Sequence, residues 1–481
     1  MGKTKTIGDM SKPPVIFWTR RDFRLRDNPA LSAACASGAP VIPVFICDEV
    51  VEAHGAAPKW RLGLGAEAFA QSLREAGSGL VFRRGTALEV LRALMVETGA
   101  RAIHWNRLYD PEARSRDEAV KSGLKADGLE AVSHAGHVIH EPWTVQTGTG
   151  GFYKVYTPFW KTLRGRDVAP ALSLPTLAAP SSWPESEAIA DWGLGHAMRR
   201  GADVVRAHLN IGEEAALTRL ERFIESGVEG YVEMRDALAE NGTSLLSENL
   251  AYGEISARTC WHAGARAMQE SKAGAETFLK EVIWRDFSYH LVYHTPHITR
   301  SNWRPEWDGF AWNTDASDPQ FQAWMRGRTG MEVVDAAMRE MYVTGRMHNR
   351  ARMIAASYLT KHLQMHWKLG LKWFEECLVD WDPAANAMGW QWSAGSGPDA
   401  TPYFRVFNPE TQAEKFDKSG RYRRRWVAEL APKAGAQALS YFEAIPKNWS
   451  MSATDPYPDQ PIVSAKEGRS RALRAYETRG F

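Results

Sequence analysis

Along the first third of the chain, short unbroken apolar runs alternate with stretches whose apolar residues recur three and four apart. Residues 14–20 (PVIFWTR) and 39–48 (APVIPVFICD) are rich in Val, Ile and Phe without polar alternation, as strands buried on both faces of a parallel sheet are. Residues 79–85 (GLVFRRG) and 100–106 (ARAIHWN) repeat that signal. The segments between them, 28–38, 60–77 and 87–99, have helical spacing, the first opened by Asn28-Pro29 and closed by Gly38. Strand–helix alternation through about residue 140 predicts a doubly wound parallel sheet over 13–140. Residues 141–210 are rich in Pro, Gly and Ser with no sustained period and predict a long surface connector. From residue 211 helical periods dominate, including 213–226, 329–345 and 347–367, which predicts an all-helical domain over 211–481.

Composition narrows this frame little. The 481 residues carry a net charge of +2, which excludes a uniformly basic coat and leaves room for a local basic groove. Four cysteines, Cys35, Cys47, Cys260 and Cys377, are widely spaced and form neither a disulfide framework nor a zinc motif, which suits a reducing cytoplasm. Residues 1–12 read as a polar tail, although the first six also match a myristoylation pattern. No apolar run reaches membrane-span length. The 20 tryptophans exceed what a core of this size needs, and three of them, Trp381, Trp390 and Trp392, fall within 12 residues.

Most short motifs are bland. Gly63-x-Gly65-x-x-Ala68 matches a dinucleotide fingerprint but sits within a helical pattern instead of a strand-to-helix turn. Glu213-Glu214 reads as a solvated first helical turn. The hydroxyl-rich turn Thr243, Ser244, Leu245, Leu246, Ser247 suits a phosphate, with plain N-capping by Thr243 or Ser244 the simpler reading. Glu281 and Arg285 are four apart, the spacing of a helix-surface ion pair, with Trp284 between them. Asn349, Arg352 and Met353 share a helical face, and His348 points about 100° away from it. Arg346 and Arg350 flank that face, and Lys361, Lys368 and Lys372 extend its positive charge. Residues 414–426 (EKFDKSGRYRRRW) add six basic residues against two acids. Basic residues interleaved with aromatic ones suit a nucleic-acid groove.

The segments VIFWTRRDFRLRDNPAL, EVIWRDFSYHL, TGRMHNRARM, DPAANAMGWQW and PYFRVFNP resemble the photolyase/cryptochrome family, in the same order from about Val15 to Trp426. The resemblance implies an α/β antenna domain followed by a helical domain that binds FAD. It implies FAD phosphate and ribose contacts at Tyr231, Thr243 to Ser247 and Arg285. Asn349, Arg352, Asp380, Asp382 and Asn386 would line the isoalloxazine, with Arg352 and Asp380 as an ion pair and Asn386 facing N5. Trp284 and Trp392 would hold a flipped-out pyrimidine dimer, helped by Glu281. Trp390, Trp367 and a surface Trp312 would form an electron relay, whereas Trp381 matches none of these positions. Asn349 and Met353, in place of the two histidines of (6-4) enzymes, imply repair of cyclobutane dimers. Arg350, Arg405, Gln412, Lys415, Arg421, Arg423 and Arg424 would contact damaged DNA. Residues 105–120 (WNRLYDPEARSRDEAV) resemble the plant-cryptochrome-like branch and imply an antenna pigment, methenyltetrahydrofolate, with deazaflavin or none as alternatives. A monomer is the family's usual state. The rival readings are a light-sensing cryptochrome and a dark flavin oxidoreductase; only 55 residues follow Trp426, against the long tails of many cryptochromes.

Overall fold

The structure, a computed structural model, describes residues 12–481; the rest of the polar N-terminal tail lies outside the described residues. Five strands, β1 (Val15–Thr19), β2 (Val41–Cys47), β3 (Val81–Arg84), β4 (Ala102–Asn106) and β5 (Glu130–His134), form one parallel sheet in the order β3-β2-β1-β4-β5. Four of them are the apolar runs. β5 (EAVSH) escaped the pattern because an edge strand needs only one buried neighbour, and only its Ala131 is fully buried. Asn28 caps the helix Pro29–Ala36, accepting the Leu31 N–H. Gly63 and Gly65 lie inside the helix Ala56–Glu75, where a Cβ would collide with Leu194 and Phe23. They allow close packing and form no phosphate turn.

In a doubly wound sheet, the crevice at the strands' carboxyl ends, where the order reverses, is the usual ligand site. Here that crevice, beyond β1 and β4, is filled by protein. Asn106 Nδ2 donates to Asp22 Oδ2 (2.6 Å) and Asn28 Oδ1 (2.7 Å), and Arg20 pairs with Asp117 at 2.8 Å. Arg21 reaches out of the sheet domain to the Ala251 carbonyl (2.8 Å) and to Asp382 (3.3 Å). Arg61 is wholly buried between Glu248 (2.8 Å) and Glu254 (2.7 Å). The charged side chains of the first domain thus orient the helical one.

Residues 141–210, expected as a connector, carry a helix, α1 (Tyr156–Leu163), and a short one at Gly201–Arg206, and between them pass the sheet, the Ala178 carbonyl accepting the Val41 N–H. Five further helices position the site: α2 (Ser247–Ala251), α3 (Ala275–His294), α4 (Asn349–Ser357), α5 (Trp367–Cys377) and α6 (Pro383–Ala394). α4, α5 and α6 share a core that includes Trp324, Tyr358, Trp367 and Trp390, whereas α3 packs in separate clusters through Phe278, Val282, Ile283 and Phe287.

Three sequence expectations fail locally. The helical pattern over 347–367 is broken: α4 ends in a π turn at Tyr358–His362, Gln364 adopts φ +56°, and His366 caps α5 by accepting the Lys368 N–H. That break turns Lys361 inward, where it is 1% exposed and donates to the Arg405 carbonyl at 3.0 Å. It does not extend a charged face, and burial lowers its pKa to about 7. Glu213 is buried, not solvated; its carboxylate accepts the N–H groups of Leu25 and Arg26 at 2.9 Å each. Among the described residues no helix is long and apolar enough to cross a membrane.

Candidate functional site

The helical region holds a cavity of about 760 Å³, lined by α2, α3, α4, α6 and the turn before α2. One charged feature joins α4, α2 and the turn before α6. Arg352 on α4 donates to both oxygens of Asp380 (2.9 and 2.8 Å), and Ser247 Oγ at the start of α2 donates to the same carboxylate at 2.8 Å. Asp382, two residues on, caps α6 by accepting the N–H groups of Ala384 and Ala385, while its other oxygen takes the Tyr289 hydroxyl at 2.5 Å. Burial pushes the Asp382 carboxyl up, but Arg21, Arg285 and these hydrogen bonds outweigh it and hold it below its usual range.

Thr243, Ser244, Leu245, Leu246 and Ser247 line the cavity together with Tyr231 and Arg285. The capping alternative does not hold, because α2 has no side-chain cap. Leu245 sits at φ +55°, a conformation few non-glycine residues adopt. Arg285 does not pair with Glu281. It donates to the His137 carbonyl (2.5 Å) and contacts the His137 ring, whereas Glu281 is bound by Arg235 at 2.6 Å. Asn386 Nδ2 donates to the Leu371 carbonyl (3.1 Å), which leaves its Oδ1 as the acceptor available to the cavity.

Trp284 on α3 and Trp392 on α6 both line the cavity and are partly exposed. Asn349 and Met353 lie one turn apart on α4 and are also in its lining. His348, expected to point away, lines it as well. It is the N-cap of α4, accepting the Arg350 N–H at 3.1 Å, and burial lowers its pKa to about 4. A cap residue has non-helical backbone, so helical-wheel geometry does not apply to it. The buried Nε atoms of His348, Trp381 and Trp390 have no partner. Polar atoms left open on the wall of a roomy cavity fit a bound group that carries its own acceptors and donors. Trp381 also packs edge-on against His54 of the sheet domain, with ring centroids 5.2 Å apart.

Trp390 packs its ring on Gly370 of α5, the helix that Trp367 begins. Trp367 donates to Asn302 Oδ1 at 2.8 Å. Trp312 is 6% exposed, so it is buried and not at the surface as expected. It donates to the Thr360 carbonyl and lies 5.3 Å from the His366 ring, which adjoins Trp367 at 5.5 Å.

The basic run is only partly available for a ligand. Arg423 pairs with Glu332 (2.8 Å) and Asp417 (3.1 Å), Arg421 pairs with Glu240, and Arg350 pairs with Asp236 at 2.7 Å. Among the described residues no carboxylate pairs with Arg405, Lys415 or Arg424, all of which are exposed; Gln412 is half-buried. Sequence reasoning also missed Arg235, Glu340 and Tyr156. Their contacts with Glu281, Tyr422 and Trp284 span long stretches of sequence, so no local spacing could have marked those pairings.

Residues 15–178 match the family model described as DNA photolyase, and residues 278–478 match the FAD binding domain of DNA photolyase. The chain is 45% identical over 471 residues to the deoxyribodipyrimidine photo-lyase of Agrobacterium fabrum, covering 96% of this chain and 97% of that one. It superposes on the crystal structure of a bacterial class III photolyase from Agrobacterium tumefaciens with TM-score 0.88 and 43% identity, covering 97% of both chains. A cryptochrome from Synechocystis gives TM-score 0.82 at 27% identity, covering 96% of this chain and 99% of that one.

Proposed function

The chain belongs to the DNA photolyase family, and from that membership we propose how its residues divide the work of light-driven repair. The enzyme binds FAD and reverses cyclobutane pyrimidine dimers in DNA, a deoxyribodipyrimidine photo-lyase activity. FAD, when bound, supplies the light-driven one-electron chemistry that opens the cyclobutane ring. The observation that carries the residue assignment is that the Arg352–Asp380 pair, the hydroxyl turn, both indoles and the Asn349/Met353 face share one cavity.

Tyr231, Thr243 to Ser247 and Arg285 hold the phosphate and ribose end of the cofactor. Asn349, Arg352, Asp380, Asp382 and Asn386 would hold its ring, and the Asn386 amide would offer it a neutral hydrogen-bonding group without placing a full charge beside it. Trp284 and Trp392 stack on the extruded dimer, whose poor stacking in the duplex lowers the cost of extrusion; photolyases are a named example of this principle. Glu281, held by Arg235, hydrogen-bonds the dimer bases, and Asn349 and Met353 face the lesion. Neither is a histidine, and His348, which also lines the cavity, caps α4 and is held neutral by burial, so the pocket does not present the pair of histidines that (6-4) repair requires. Trp390, Trp367 and Trp312 pass electrons toward the cavity. Arg405, Lys415 and Arg424 meet DNA phosphates, with Gln412 beside them; Arg350, Arg421 and Arg423 must first give up carboxylate partners. The sheet domain over 13–140 carries the antenna, for which we retain methenyltetrahydrofolate, the connector spans 141–210, and 211–481 is catalytic. Four free cysteines support action in the reducing cytoplasm, and we take the working unit to be a monomer.

Near-full-length 45% identity to a deoxyribodipyrimidine photo-lyase, against 27% to the cryptochrome, favours repair over sensing alone. Blue-light assays on duplexes carrying either lesion test the assignment. Cyclobutane dimers should be restored and (6-4) products left intact; repair of only the latter would overturn it. An absorption spectrum before and after denaturation identifies the antenna pigment.

A further inference from the structure

The connector, which looks like a surface strap in the sequence, sends one side chain onto Trp284, a residue of the cavity wall. Tyr156, the first residue of α1, lies parallel to Trp284 with ring centroids 3.7 Å apart and planes 9° from parallel. Tyr156 is itself buried, and its hydroxyl donates to the Lys280 carbonyl, one turn before Trp284 on α3, at 2.7 Å. Phe287 meets the Trp284 ring edge-on, with centroids 5.6 Å apart. An indole has two faces. Tyr156 occupies one, so the other is the face Trp284 can offer to the cavity it lines.

The start of α1 is pinned in turn. Tyr156 donates its backbone N–H to Asp399 Oδ2 at 3.0 Å. Asp399 lies five residues beyond the end of α6, the helix that carries Trp392, and is held at φ +51°. That left-handed conformation suits Asp, Asn and Gly and costs most other residues. The connector therefore touches Trp284 by stacking and the segment that follows α6 through Asp399.

We propose that Tyr156 is a positioning residue for lesion recognition, its ring fixing the plane of Trp284 and its Asp399 contact tying that plane to the segment that follows Trp392. The inference rests on the assignment of Trp284 as a lesion wall. A partly exposed tryptophan on a rigid helix still rotates about two side-chain bonds, and ordering it on binding would cost affinity. A preformed stack removes that cost before the DNA arrives.

The experiment uses the FAD-loaded enzyme and two probes, a duplex with one thymine dimer and the same duplex undamaged. Tyr156→Leu should lower affinity for the damaged duplex about tenfold, with undamaged affinity and FAD absorbance unchanged. Tyr156→Phe, which keeps the ring, should retain most of the preference. Asp399→Gly should lose part of it and Asp399→Asn should restore it, because Asn keeps both the acceptor and the backbone conformation. If Tyr156→Leu fails to load FAD, the Asp399→Gly and Asp399→Asn pair decides: equal preference in both overturns the proposal. Trp284→Ala is the control for the underlying assignment. A full loss of preference there, with Tyr156→Leu unchanged, overturns the inference alone. Retained preference in Trp284→Ala overturns the lesion wall and the inference together.

Discussion

A carboxyl group closed into a cavity near arginines is under two opposed pressures, and Glu340 records which one wins. It accepts the Tyr422 hydroxyl (2.5 Å) and the His348 N–H (3.3 Å), and Arg352 and Arg346 lie near. Burial outweighs all of these and pushes its pKa up to about 7. The sign follows from proton counting. Between the ordinary glutamate value and about pH 7 the folded protein holds a proton that the unfolded chain has released, so stability falls as pH rises through that window and levels off above it. Glu340→Gln keeps the acceptor for Tyr422 and His348 but cannot ionise. Its unfolding midpoint should change less with pH from about 4.5 to 7 than that of the parent. Thermal melts across that range check this; an equal slope in both proteins would show that Glu340 is ionised throughout. The residues that sequence spacing paired wrongly, Glu281 with Arg285, were misread for a related reason. Two charges four apart on a helix meet only when nothing stronger competes, and here Arg235 and His137 do.

At the scale of elements, Trp390 at the cavity and Trp367 and Trp312 behind it are arranged by helix contacts. Trp390 on α6 rests on Gly370 of α5, where any Cβ would collide with the indole. That contact sets Trp390 against the helix whose first residue is Trp367, and the break after the π turn places His366 between Trp367 and Trp312. If this series carries electrons, Trp390→Phe should abolish photoreduction of oxidised FAD while leaving repair by chemically pre-reduced enzyme near the parent rate. Undiminished photoreduction would place the route elsewhere. Burial of Trp312 does not argue against the series, since an electron needs short edge-to-edge gaps and not a solvent-exposed ring.

For the molecule as a whole, the sheet domain matters to the cavity through buried charge. Arg61 lies between Glu248 and Glu254, and Glu248 belongs to α2 at the cavity wall. Removing the arginine leaves Glu248 to Arg219 and Arg346 and leaves buried Glu254 with the Asn249 amide alone, a loss on the order of 3–5 kcal/mol. Arg61→Met should therefore lower the unfolding temperature and weaken FAD retention together; calorimetry with and without added FAD measures both. The outer surface obeys different rules. Replacing Arg405, Lys415 and Arg424 with Gln should weaken damaged and undamaged duplexes alike. The slope of log affinity against log salt should become shallower by about 0.9 for each phosphate left without its cation. Arg423→Gln should change that slope least, because its charge is already met by Glu332 and Asp417. Titrations at several salt concentrations separate the two cases.

Four of the five strands, the division between sheet and helices, and the family were legible in the sequence, because apolar periodicity and dense local motifs such as MHNRARM and DPAANAMGWQW are properties of neighbouring residues. Arg352 and Asp380 could be paired only through the resemblance, since 28 residues separate them. Only tertiary packing decided that Lys361 and Glu213 turn inward, that Arg423 is neutralised, and that His348 caps α4 at the cavity. Only it brought Tyr156 from the connector onto Trp284. A charge or a ring in sequence has no partner until the chain folds back, and burial, which sets its cost, is a property of the whole molecule.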